Sequence, residues 1–101
     1  MIVYNTTFHS DGQEANHLLV YLHEVWIPAA TATGLLSNPR LMRVLSHQQD
    51  DTQSFSLQFE VADTTSLHTW YVGKGQTLHA ELQRLFRQSV QSFSTILEII
   101  E

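Results

Sequence analysis

Residues 53–62 read Gln-Ser-Phe-Ser-Leu-Gln-Phe-Glu-Val-Ala, and residues 63–86 continue Asp-Thr-Thr-Ser-Leu-His-Thr-Trp-Tyr-Val-Gly-Lys-Gly-Gln-Thr-Leu-His-Ala-Glu-Leu-Gln-Arg-Leu-Phe. In the first segment Phe55, Leu57, Phe59 and Val61 alternate with Ser54, Ser56, Gln58 and Glu60, a period of two that predicts a strand with one buried face. The period then changes. Asp63 is placed to cap a helix whose apolar stripe is Leu67, Trp70 and Tyr71. Leu78, Leu82, Leu85 and Phe86 form a second stripe with His79 at its margin. Gly73-Lys74-Gly75 lies between the two and predicts a backbone break. Trp70 and His79 are nine residues apart, which on one unbroken helix puts them on opposite sides. A break at the glycines lets both face one pocket. Ordinary core packing also places a large aromatic and a histidine at such positions.

The pattern extends outward in both directions. Residues 2–9 alternate Ile2, Tyr4, Thr6 and Phe8 with Val3, Asn5, Thr7 and His9, which predicts a first strand. Asp11 and Glu14 have capping-box spacing ahead of a helix over 13–32, striped by Leu18, Leu22, Val25, Trp26 and Ala29. Pro28 falls inside that helix and predicts a kink, and Gly34 predicts its stop. Residues 40–47 read as a strand, 48–52 as a polar turn, and 90–100 as a last strand with apolar residues on both faces. The helix over 64–87, interrupted at Gly73 to Gly75, completes the order β-α-β-β-α-β. This is the ferredoxin-like α+β arrangement: a four-stranded antiparallel sheet with both helices on one face, in a single domain over 1–101. On this reading Tyr4 belongs to the uncovered face, which is too apolar for water and predicts a homodimer through it.

Composition narrows the function. The 101 residues carry a net charge of −5 and only five Lys plus Arg, too few for a basic stripe along a phosphate backbone. Nucleic acid and membrane are not expected partners. No cysteine is present, so thiolate catalysis, thiolate metal sites and disulfides are excluded. No apolar run reaches a spanning length of ~18 residues, and the first residues lack the pattern of a secretory leader, so a cytoplasmic protein is expected. The six histidines offer no i, i+4 pair on a helix, so no metal site is expected. Neither a nucleophile elbow nor a phosphate-cradling glycine loop occurs.

Three stretches resemble one small bacterial family of unknown function in the dimeric α/β-barrel superfamily. They are Met1-Ile2-Val3-Tyr4-Asn5-Thr6-Thr7, then Trp26-Ile27-Pro28-Ala29 followed by Thr33-Gly34-Leu35-Leu36-Ser37, then Trp70-Tyr71 followed by Leu78-His79-Ala80-Glu81-Leu82. The superfamily also contains antibiotic-biosynthesis monooxygenases and haem-degrading monooxygenases, which hold a ligand between helices and sheet. The resemblance to the haem-degrading group implies Asn5, Trp70 and His79 as candidate catalytic residues. It implies haem as a possible cofactor, with His79 as the axial ligand, Asn5 opposite it and Trp70 against the macrocycle. An amide on a strand also needs a partner to offset its desolvation, so Asn5 is expected to converge with Trp70 and His79 on one cavity.

Three function classes stay open at this level. The first is a module that binds a small hydrophobic or aromatic molecule without turnover. The second is a monooxygenase-like enzyme acting through Asn5, Trp70 and His79, by analogy of fold. The third is a structural or regulatory dimer with a filled core.

Overall fold

The structure is a computed structural model and describes residues 1–46 and 51–101. Four strands, β1 (Ile2–Asp11), β2 (Ser37–Arg43), β3 (Thr52–Val61) and β4 (Val90–Glu98), form one antiparallel sheet in the order β2-β3-β1-β4. Two helices cover one face of it, which gives the expected ferredoxin-like α+β fold. β1 is central because it pairs on both sides, with Tyr4 opposite Phe59 on β3 and opposite Ile96 on β4. Of the strand expected over 40–47, His47 lies outside the described residues, as do residues 48–50 of the expected turn. β2 instead starts at Ser37, with a register shift before Arg40. Pro39 sits within that shift, where an edge strand tolerates its missing N–H.

The alternation of β1 and β3 resolves into two faces of different character. Ile2, Tyr4, Phe8, Phe55, Leu57, Phe59 and Val61 are buried toward the helices in one core cluster. Tyr4 therefore belongs to the helix face and not to the open one. Its parity matches Ile2 and Phe8, the apolar set that the helices must cover. The centre of the open face is polar, with Asn5 and Thr7 beside Ser54, Ser56 and Gln58. Apolar groups on that face are Val3 near the start of β1, Met42 on β2, and Phe93 and Leu97 on β4, so most of its hydrophobic character lies on the edge strands. Arg43 lies opposite Phe55 with its guanidinium 5.6 Å from the ring centroid.

Both helices are continuous, and each contains one π turn. The first, over residues 15–31, runs as Ala15–Tyr21, a π turn Leu22–Trp26, and Ile27–Thr31. Its start is set by Asp11, whose carboxylate accepts the Glu14 N–H at 2.8 Å. The Glu14 side chain turns to His17 instead of completing a capping box. Pro28 does not break the helix. The turn before it is wound so that the Ile27 N–H bonds to the Leu22 carbonyl, five residues back, and Pro28 stands at the start of the next helical segment, where its ring is accommodated. Gly34, at φ +79, ends the element as expected.

The second helix, over residues 64–86, runs as Thr64–Trp70, a π turn Tyr71–Gly75, and Gln76–Phe86. Asp63 caps it, accepting the Ser66 N–H at 2.7 Å. That bond holds its carboxyl below the usual carboxylate range. Gly73 to Gly75 does not interrupt the helix, because the Gln76 N–H reaches the Tyr71 carbonyl and carries the backbone through.

Candidate functional site

The π turn decides where the second helix points its side chains. Nine residues at about 100° each separate Trp70 and His79 by roughly 180° on a plain α-helix, whereas a turn that absorbs one extra residue reduces this to roughly 80°. Both side chains then line one half-open cleft of about 560 Å³ between the second helix and the β1–β4 side of the sheet. Thr64, His68, Tyr71, Gly75 and His79, spaced four, three, four and four residues apart, form its helical wall. The other wall and the floor come from Tyr4, Thr6, Ser94 and Ile96, with Trp26 reaching in from the first helix.

The floor carries a chain of hydroxyls. Tyr4 Oη and Ser94 Oγ are 3.2 Å apart, and Ser94 Oγ and Thr6 Oγ1 are 3.1 Å apart. Hydroxyls both donate and accept, so this strip can present either character to a bound group. The walls are aromatic and aliphatic, and the imidazoles of His68 and His79 add polar groups at the rim. His79 Nε2 lies 3.3 Å from the Gln83 amide nitrogen, one helical turn on. An apolar cavity with a few convergent polar groups has the general form of a small-molecule site.

Trp70 is the most closely packed of the walls' aromatic residues. It is buried, donates its indole N–H to the Ala30 carbonyl at 3.1 Å, and meets the Tyr4 ring edge-on at 5.7 Å between centroids. Its six-membered ring lies against Gly75, where an added Cβ would fall 2.6 Å from Cζ3. Gly75 is thus a residue of close approach, not of chain reversal.

Of the three residues implied by resemblance, the fold brings two together. Asn5 is on the opposite side of the sheet, because it differs in parity from Tyr4 and Thr6. Its amide is satisfied there: the Ser56 hydroxyl donates to Asn5 Oδ1 at 2.5 Å, and Asn5 Nδ2 reaches Thr7 Oγ1 at 3.4 Å. A macrocycle gripped between His79 and Asn5 therefore does not fit this chain. Sequence reasoning missed Tyr4, Thr6 and Ser94, although the Ile2-Tyr4-Thr6-Phe8 alternation carried the signal for the first two. His68 is exposed and borders the cleft.

Away from the cleft, Tyr21 donates its hydroxyl to Glu81 Oε1 at 3.2 Å and joins the two helices. Burial first, and then the neighbouring Glu81 carboxylate, push the Tyr21 phenol up to about 12. Among the described residues no group of three His, Cys, Asp or Glu side chains is placed to hold a metal ion. No helix among them is long and apolar enough to cross a membrane.

This is a ferredoxin-like α+β protein with a cleft between helix and sheet. The chain belongs to the DUF4286 family, a domain of unknown function, whose model matches residues 1–100. Several solved structures share its fold at low sequence identity. A point mutant of MhuD, with two manganese protoporphyrin IX bound per active site, superposes with a TM-score of 0.74 at 11% identity, covering 100% of this chain and 96% of that one. A dimeric ferredoxin-like protein from an uncultured marine organism gives 0.70 at 13%, covering 100% and 96%. A point mutant of SnoaB, a cofactor-independent oxygenase from Streptomyces nogalater, gives 0.65 at 13%, covering 99% and 93%. No curated protein matches the sequence.

Proposed function

We propose that this protein binds a small, flat hydrophobic or aromatic molecule in the cleft between its second helix and the sheet. The observation that carries the reading is the cleft itself: about 560 Å³, walled by Trp70, Trp26 and Leu67, and floored by the hydroxyls of Tyr4, Thr6 and Ser94. Trp70 supplies a closely packed apolar wall, and His79 supplies a polar group at the mouth. A homodimer through the open sheet face accompanies this reading, supported by the dimeric state of a structural neighbour and by the exposed Phe93 and Leu97 on that face. Asn5, Thr7 and Ser56 would then meet the partner sheet instead of the ligand. No catalytic step is included, since Asn5 stands on the far side of the sheet from Trp70 and His79.

The test uses N-phenyl-1-naphthylamine, an uncharged dye that fluoresces in apolar sites. The native chain is expected to bind it with quenching of tryptophan emission, because Trp26 and Trp70 both border the cleft. Ser94→Trp, which fills the cleft from the edge strand, is expected to abolish binding while leaving the fold intact by circular dichroism. Unchanged binding in that variant would place the dye elsewhere and refute the reading. Sedimentation equilibrium at micromolar concentration tests the dimer separately.

A further inference from the structure

The cleft continues beyond His79. A second hollow of about 520 Å³ is lined by His79, Leu82, Arg87, Val90 and Ser92, among others, and shares His79 and Ser92 with the first. The two together make one groove along the second helix, apolar and aromatic at the Trp70 end and carrying a guanidinium at the other. Among the residues lining that second hollow Arg87 is the only Arg or Lys. It forms no salt bridge among the described residues, although the chain has ten acidic residues against five Lys plus Arg.

Arg87 also stands in an unusual backbone conformation. It caps the second helix at φ 52, ψ −123, a region that L side chains rarely adopt and that glycine occupies easily. The surrounding turn holds it there, between Phe86 and Val90, both of which are buried. Strained positions of this kind persist where the surrounding structure imposes them, and they gather at ligand sites. The consequence here is geometric: an exposed guanidinium with no salt bridge among the described residues stands at the polar end of a groove whose other end is aromatic.

The geometry points to an amphiphilic ligand, an aromatic acid whose ring system fills the Trp70 end and whose carboxylate or sulfonate reaches Arg87. This rests on the cleft-binding reading above and adds the anionic group to it. Arginine offers a planar fork of donors that suits such an oxyanion, and a paired oxyanion is bound more strongly than a neutral group.

The test compares two dyes with the same anilinonaphthalene body. One is 1-anilinonaphthalene-8-sulfonate, and the other is N-phenyl-1-naphthylamine, which lacks the sulfonate. The native chain is expected to bind the sulfonate more tightly than the neutral dye. Arg87→Gln should weaken the sulfonate by about tenfold and leave the neutral dye within about twofold, while Arg87→Lys, which keeps the charge, retains most of the preference. Equal affinity for the two dyes in the native chain, or Arg87→Gln binding the sulfonate as the native chain does, would overturn the inference and leave the cleft reading standing. Failure of both dyes to bind, or binding that Ser94→Trp does not reduce, would remove the cleft reading and this inference with it.

Discussion

The Cα of Gly75 rests against the indole of Trp70, so closely that a Cβ there would lie 2.6 Å from Cζ3. The contact occurs because the π turn Tyr71–Gly75 brings Gly75 round beneath the ring. The two glycines of Gly73-Lys74-Gly75 consequently have different roles, and substitution separates them. Gly75→Ala forces the indole or the helix to shift and is expected to cost about 1–3 kcal/mol, the range for overpacking a filled core. Gly73 has open space around its Cα and no left-handed backbone. Gly73→Ala is therefore expected to be neutral or to stabilise by about 0.5–1 kcal/mol, as alanine does in a helix. Urea midpoints of the two variants check this; equal effects would disprove the assignment.

Trp70 holds the two helices together through its N–H to the Ala30 carbonyl. Trp70→Phe keeps an aromatic ring but removes that donor, leaving the Ala30 carbonyl with the Thr33 hydroxyl at 3.3 Å, and is expected to cost about 0.5–1.5 kcal/mol for the one hydrogen bond lost. Trp70→Ala adds a cavity and should cost about 3–5 kcal/mol. Denaturation measured by circular dichroism distinguishes the steps, and a Trp70→Phe variant as unstable as Trp70→Ala would contradict the role given to the hydrogen bond.

The Tyr21 phenol predicts a stability change at alkaline pH. Its folded value of about 12 lies above the ordinary 10.0 because burial and Glu81 favour the neutral form. The contribution is thus fully present below pH 10 and is lost as pH rises from about 10 to about 12. Denaturant midpoints should fall across that window in the native chain and fall less in Tyr21→Phe. Tyrosinate absorbance should show one late-titrating group that the variant lacks.

Asn5 gives a prediction of independence. Because its side chain is on the open face, bonded to Ser56 and Thr7, Asn5→Ala is expected to leave dye affinity within about twofold, as for sites without shared partners. His79→Gln, at the cleft, should change it. An Asn5→Ala variant that loses the dye while still folded and dimeric would show that the two faces communicate.

Much of the architecture is legible in the sequence because it rests on local periodicity. The alternation of 53–62 identifies a strand and its buried side, Asp63 identifies a helix start through its short acceptor side chain, and Gly34 identifies a stop. The Asp11 to Glu14 spacing locates the start of the first helix, and Asp11 does accept the Glu14 N–H, but the return half of the capping box is absent because His17 draws the Glu14 side chain forward. The face of Tyr4 is legible in the same way, although the reading above put it on the open face. Ile2, Tyr4 and Phe8 share one parity against Val3 alone on the other, and the helices cover the larger apolar set.

What the sequence determined by itself was the order and type of the elements, the antiparallel ferredoxin-like sheet and the absence of thiol and polycationic chemistry, since these depend on residue identity and on spacing within a few positions. The tertiary structure alone decided the site. Trp70 and His79 share a cleft only because a five-residue turn replaces a normal one, with the Gln76 N–H reaching back to Tyr71. No residue type encodes that turn: the first helix makes one over Leu22–Trp26 without a glycine, and Gly75 is needed for the room it leaves the Trp70 indole. Tyr4, Thr6 and Ser94 meet across 90 residues of chain through strand pairing, and Asn5 is excluded by the same pairing, because register places alternate side chains on opposite faces of the sheet.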